Sequence, residues 1–182
     1  MSSLSIREIT AADIPLLADY WTKSDPGFMK SMGVDLEKIP AREDLVDMLS
    51  RQLNQTYSEK QSYAIIWLID GTPSGHSNIN KILFGEEASM HLHLWNMPER
   101  KKGMGSGFVM KTLPLYFKNF NLKNLYCEPY ALNEAPNRTM KKVGFEFVKR
   151  YRTIPGYLNF EQEVNRWEMS REKYNSLFPS SV

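Results

Sequence analysis

Apolar and polar positions along this chain switch between two periods. Leu4 to Ile9 reads as a first strand, and Ile14, Leu17, Ala18 and Trp21 then recur at helical spacing. Thr10 or Asp13 is placed to cap that helix, with Pro15 in its first turn, where a missing N–H is tolerated. Residues 22–40 hold Asp25-Pro26-Gly27, Met29, Met32 and Pro40, and read as an irregular connection with a short helical piece. Leu45, Met48, Leu49 and Leu53 give a second helix its apolar face, and Glu43 and Asp44 suit its positively polarised first turn.

The middle of the chain turns β-rich. Ser62 to Asp70 carries Tyr63, Ile65, Ile66, Trp67 and Ile69, and Asp70-Gly71-Thr72-Pro73-Ser74-Gly75 follows as a turn. A strand over His76 to Phe84 pairs back as a hairpin. Gly85-Glu86-Glu87 turns the chain again, and Ala88 to Trp95 forms another strand. Phe108, Val109, Leu113, Tyr116, Phe117 and Phe120 then predict a helix, which Pro114 should kink or break. Leu122 to Glu128 reads as a strand, and Asn137 to Val143 as a short helix between Pro136 and Gly144. Phe145 to Thr153 and Glu163 to Ser170 are the last strands, with Pro155-Gly156 between them, and the final ten or so residues are expected to fray. Alternating elements without a repeat or a long linker argue for an α/β or α+β domain.

Length fits one domain over residues 1–182. The 9 Phe, 9 Tyr and 4 Trp supply bulky core material and exclude disorder for most of the chain. The longest apolar run, Tyr63 to Ile69, falls far short of the ~20 residues that span a bilayer, so no membrane span is expected. The start carries no apolar signal core. A single cysteine, Cys127, leaves no internal disulfide framework and no Cys-based zinc finger, and a cytoplasmic setting is the expectation. Net charge +2 is too mild to argue for nucleic acid.

Candidate chemistry concentrates in Arg100-Lys101-Lys102-Gly103-Met104-Gly105-Ser106-Gly107, which follows a predicted strand and opens a predicted helix. Backbone N–H groups at a helix N-terminus converge on an anion, and the helix dipole favours one there. The glycines allow close approach and the three cations add positive charge, so the physics predicts a pyrophosphate-type site; the plain alternative is a solvated basic turn. No Gly-Lys-Ser/Thr ends the loop, so it is not a Walker loop. Its Gly-x-Gly-x-Gly spacing late in the chain does not fit a dinucleotide fingerprint either.

The same loop resembles the Gln/Arg-x-x-Gly-x-Gly/Ala segment of the GCN5-related N-acetyltransferase (GNAT) superfamily. A second match runs from Asn133-Glu134-Ala135-Pro136-Asn137 to Lys142-Val143-Gly144-Phe145, after Leu125-Tyr126-Cys127-Glu128. The Ile6 to Asp13 start and the Asp70 to Gly75 hairpin also look like this family, and RimJ/RimL-like acetyltransferases look closest. The resemblance covers about residues 4–170. It implies a central mixed, mostly antiparallel sheet of about seven strands, splayed between strands 4 and 5 and flanked by about four helices. Acetyl-CoA as co-substrate, with no metal, would lie in that opening. Its pyrophosphate would meet the loop, Arg100 to Gly107; its pantetheine arm would follow the strand ending at Leu94 and Trp95; and Asn133 and Asn137 are the matched asparagines at the site. The reaction implied is direct attack of an amine on the thioester, without a covalent acyl-enzyme. The acceptor is a small molecule or a protein N-terminus, and relatives are commonly homodimers.

An attacking amine must lose a proton, and the departing thiolate benefits from gaining one. Glu87, Ser89, His91, His93 and Trp95 alternate, which places them on one face of an unbulged strand. His91 and His93 are the candidate bases, with Glu87 as a rival; a His-x-His pair in relatives helps deprotonate the amine through water. Core or surface polar roles are the alternative for each. A metal reading would add His76, but no carboxylate sits at a characteristic spacing. The tyrosine that many relatives use as proton donor is Met140 here, and the RimL-like serine is Pro136, which leaves Tyr126, Tyr130 and Cys127 as nearby substitutes. These departures motivate a second hypothesis, a non-catalytic CoA-binding sensor or scaffold. Acetylation of an aminoacyl-tRNA would want a stronger basic surface. The resemblance puts the acceptor pocket at about residues 20–60 and 154–163, where Trp21, Phe28, Met29, Met32, Tyr157 and Phe160 accompany Asp25, Asp35, Glu37, Glu161 and Glu163.

Overall fold

The computed structural model describes residues 2–95 and 103–179. Its frame is set by β2 (Tyr63–Ile69), which is buried along nearly its whole length. Tyr63, Ile65, Trp67 and Ile69 face one core, and Ala64 and Ile66 face another, so a run with no polar side can form a strand only between two covering layers. β1 (Leu4–Glu8) and β3 (Thr72–Leu83) flank it, both antiparallel. β4 (Glu87–Leu94), β5 (Asn124–Cys127), β6 (Glu146–Thr153) and β7 (Gln162–Ser170) complete a seven-stranded sheet in the order β1-β2-β3-β4-β5-β7-β6. Only β4 and β5 run parallel; the other neighbours are antiparallel.

The β4–β5 pairing is short. It joins Glu87–Met90 to Asn124–Cys127 and stops, while β4 continues along β3 until Leu94 meets Gly75. From His91 onward the two strands diverge, so the sheet splays between its fourth and fifth strands as expected.

Six helices flank the sheet among the described residues, where about four were expected. α1 (Ile14–Lys23), α2 (Pro26–Ser31) and α3 (Arg42–Leu53) cover the first half on one side. α4 (Gly105–Phe120) fills the opposite face with Phe108, Val109, Leu113, Tyr116, Phe117 and Phe120, all fully buried. Trp67 stacks on Phe108, with ring centroids 4.9 Å apart, and its Nε1 donates to Thr112 Oγ1 at 2.9 Å. α5 (Glu134–Val143) and α6 (Arg171–Leu177) complete the set.

Several sequence expectations are corrected. α4 runs unbroken through Pro114, because burial on both sides of the proline outweighs one lost hydrogen bond. The β2–β3 turn is only Asp70-Gly71, both at positive φ, and Thr72 already pairs with Ile69. The extra residue is absorbed as a bulge: Gly75 pairs with Trp67 and Pro73 with Leu68, leaving Ser74 unpaired. α5 starts three residues earlier than predicted, so Pro136 falls in its first turn, where no N–H is needed. Residues after 170 form α6 instead of fraying, capped by Ser170 Oγ and stacked through Tyr174 on Phe117 at 4.3 Å.

Candidate active site

The V between β4 and β5 holds a cavity of about 600 Å³, walled by α1 and α3, β3 and β4, the end of β5, and the β6–β7 connection. α4 begins near it in the chain, immediately after Gly103-Met104. Its first i to i−4 bond is Phe108 N–H to Met104 O at 3.1 Å, so the N–H groups of Gly105, Ser106 and Gly107 have no acceptor within the helix. Met104 at the N-cap has no side chain that caps them. The N–H groups of Gly105, Ser106 and Gly107, at the positive end of a sixteen-residue helix, suit an anionic phosphate. The glycines divide their work. Gly103 has φ +69 and open space where a Cβ would stand. Gly105 instead faces Thr139 of α5, and Gly107 packs on Leu4 of β1, so both serve packing of α4 as well. Arg100, Lys101 and Lys102 lie outside the described residues. Leu94 ends β4 against the α4 core, and Trp95, just past it, donates its backbone N–H to the bulged Ser74 O at 2.9 Å.

All three histidines line the cavity. His76 on β3 is buried and stacks on His93 with centroids 4.7 Å apart. Trp95 Nε1 donates to His76 Nδ1 at 2.8 Å; because an indole only donates, the His76 proton sits on Nε2. Burial, with His91 nearby, pushes the His76 imidazolium down to about 3. His91 Nε2 lies 3.1 Å from Asn80 Oδ1, an acceptor, so Nε2 carries the proton and Nδ1 keeps a free lone pair. Burial and then the Lys81 charge lower His91 to about 4, against an opposing pull from Glu128, so it is neutral at physiological pH. His93 Nδ1 is 3.1 Å from the Tyr20 hydroxyl, and Trp21 packs edge-on to its ring. Among the described residues no group of three or more His, Cys, Asp or Glu is arranged to hold a metal ion.

The opposite side of the V starts where β5 ends. Cys127 is buried, and that burial pushes its thiol up to about 12, which makes it an inert wall. Glu128 is 8% exposed and accepts from Arg166 Nη1 at 2.7 Å and from the Tyr151 hydroxyl, both on Oε1. Arg166 also lies over the Tyr126 ring at 3.7 Å. Tyr130 and Asn133 line the cavity. Asn137, expected at the cofactor, is fully used elsewhere. Its Nδ2 donates to Tyr130 O and Asn133 O, and its Oδ1 accepts from Asn165 Nδ2 and Trp167 Nε1. It ties α5 to β7 and thereby orients Asn133.

One carbonyl closes the roof. Gly33 O accepts Phe160 N–H at 3.3 Å, Asn159 Nδ2 at 2.9 Å and Gln162 Nε2 at 3.3 Å, and Asp35 N–H donates to Leu158 O at 2.8 Å. The segment after α2 is thus knotted to the β6–β7 connection. From below, Lys81 stands in a bulge of β3 at φ +47 and donates to Pro155 O at 2.7 Å.

Of the predicted catalytic set, the cavity gathers His91, His93 and Tyr130 and omits Glu87. Glu87 is exposed at the far end of β4, four residues before His91, about 13 Å along the strand. Met140 belongs to the core, and Pro136 lines the cavity without a hydroxyl. None of the acids placed near the acceptor pocket lines it: Asp25 caps α2, Asp35 pairs with Lys38, Glu161 with Arg152, and Glu163 with Arg150. The sequence reading missed Asn80, Lys81, Glu128, Arg166 and Gln162. Asn80 had a signal, since it shares the alternating face of His76 on the strand that pairs with His91.

The acetyltransferase (GNAT) domain family matches residues 3–146. No curated protein sequence matches the chain. Among solved structures, RimL, a ribosomal L7/L12 alpha-N-protein acetyltransferase in complex with coenzyme A, has a TM-score of 0.75 at 14% identity, over 94% of this chain and 96% of that one. A spermidine N-acetyltransferase from Vibrio cholerae, with CoA and spermine, also scores 0.75 at 14% identity, over 94% and 97%. The aminoglycoside acetyltransferase AAC(6')-Ib with coenzyme A scores 0.71 at 16% identity, over 96% and 98%. At these identities the likeness is one of fold; the family match, over most of the chain and including the splayed strands and the α4 N-terminus, shows that this protein belongs to the GNAT acetyltransferases.

Proposed function

We propose that the protein, as a single acyltransferase domain acting in the cytoplasm, moves the acetyl group of acetyl-CoA directly to a primary amine. The observation that carries this reading is one continuous arrangement. The N-terminus of α4, suited to phosphate, follows β4 in the chain, and the cavity beside β4 holds neutral His76 and His91 against an apolar wall. Acetyl-CoA would supply an activated acyl thioester. The N–H groups of Gly105, Ser106 and Gly107 would hold its phosphates, the exit of β4 at Leu94 and Trp95 would guide its arm, and Asn133 would shape the turn into the cavity.

His91 Nδ1 is the proposed proton acceptor. A neutral imidazole this weakly basic does not strip a free ammonium, so it takes the proton as the N–C bond forms, when the amine nitrogen becomes strongly acidic. His93, held by Tyr20, lies beside it on the same strand face. The C–S bond breaks, and the proposed donor of a proton to the departing sulfur is the Tyr130 hydroxyl, since Tyr130 lines the cavity. Met140 and Pro136, at positions where relatives carry hydroxyl groups, favour the second reading of a CoA-binding module without catalysis.

Calorimetry with acetyl-CoA tests the cofactor half. Ser106→Asp adds a carboxylate that suits the helix dipole and repels phosphate, so affinity should fall at least about 10-fold with the melting temperature preserved. Absence of saturable binding by the wild type would sink the proposal. Turnover of any amine would refute the sensor reading.

A further inference from the structure

The carboxylates of the cavity bear on the acceptor. Among the described residues lining it, Glu128 is the single acid and Lys81 the single Lys or Arg. Glu128 is already neutralised by Arg166 and bonded by Tyr151 on the same oxygen. Lys81 is fixed on Pro155 O, within the field of His91. The wall formed by α1 and α3 is apolar apart from Gln52, with Leu17, Trp21, Leu45, Met48 and Leu49. A second or third ammonium entering this space would lose its water, find among the described lining residues only Glu128, whose charge Arg166 already answers, and meet Lys81. The reacting amine carries no such burden, because it leaves one proton to solvent before it enters and attacks as the neutral base, losing its second proton to His91 as the N–C bond forms. Its carbon body would lie against the Trp21 ring and the α3 side chains.

We infer that the acceptor is a primary monoamine on an apolar or aromatic body, and that polycationic amines are rejected. The inference rests on the acetyltransferase reading. It separates this chain from the spermidine and aminoglycoside acetyltransferases that share its fold, and it sets Met48 and Trp21 as specificity-determining residues.

A matched pair of probes tests it. Hexylamine and 1,6-diaminohexane have the same carbon chain and differ by one ammonium. CoA release is measured at saturating acetyl-CoA, and the affinity of each amine for the protein–CoA complex is measured by calorimetry. Hexylamine should exceed the diamine by at least about 30-fold in kcat/KM and in affinity, with phenethylamine behaving like hexylamine and spermidine and kanamycin like the diamine. Met48→Glu, which puts a free carboxylate in the wall, should shrink that ratio at least about 5-fold. The tripeptide Leu-Ala-Ala distinguishes a peptide N-terminus from a free amine as the carrier of the apolar body, and activity with either supports the inference. Equal or better use of the diamine by the wild type overturns it, as does a ratio that Met48→Glu leaves unchanged. Amine binding without turnover overturns the acetyltransferase reading instead, while the affinities still decide the preference.

Discussion

Acid should unfold this protein partly through one buried ring. His76 is 2% exposed, its Nδ1 is occupied by Trp95, and its folded-state pKa is held down to about 3. Unfolded, it returns to about 6.5. Between those values the unfolded chain binds more protons than the folded one, so stability is full above pH 6.5 and is lost as pH falls toward 3. Linkage over that interval gives a loss of about 2 kcal/mol between pH 7 and pH 5, and about 3 kcal/mol by pH 4. Carboxylate pairs such as Arg7–Asp13 titrate in the same experiment, so the comparison is with His76→Asn, whose amide oxygen replaces Nδ1 as acceptor for Trp95 without titrating. Urea unfolding at pH 7, 5 and 4 gives both curves. The wild type should lose about 2 kcal/mol more than the variant between pH 7 and 5. Parallel curves would show that His76 protonates in the folded state without penalty, and the argument from burial would fail.

Two further outcomes concern the frame of the site. Gly33→Ala forces a Cβ to 2.0 Å from Gln162 Oε1 at φ +86, and should cost about 2 kcal/mol and lower Tm by roughly 4–8 °C; an unchanged melting curve would show that the knot is loose. Arg166→Met strands Glu128 in its buried position and should cost about 3 kcal/mol, most of which returns when Glu128→Gln is added; a double variant no more stable than Arg166→Met would assign the loss to the stem of the arginine instead.

What could be seen in the sequence was whatever short-range spacing determines. The two-sided run of β2, the apolar stripe of α4 and the shared face of His91 and His93 all follow from periods of two and 3.6. What could not be seen depends on register between distant strands. Glu128 meets Arg166 only because β5 pairs with β7, and Lys81 reaches Pro155 across 74 residues. Local rules also misled where burial opposed them. Pro114 should have ended a helix whose buried face keeps it intact, and the turn residues Asp70 to Gly75 concealed a two-residue hairpin followed by a bulge. Asn137 shows the limit of motif matching: it falls at a family position, yet its amide is spent on holding α5 to β7.

The knot at Gly33 also fixes when the site can exist. Its side-chain bonds join residues 126 and 129 positions apart. A chain emerging from the ribosome has α1, α2 and α3 long before Asn159 and Gln162, so the acceptor wall stays open through most of synthesis. The proposed phosphate-binding end, built from β4 and α4, is complete some forty residues earlier. On that proposal a growing chain has its cofactor end before it has a place for an amine, and the proposed amine discrimination arrives with nearly the last strand.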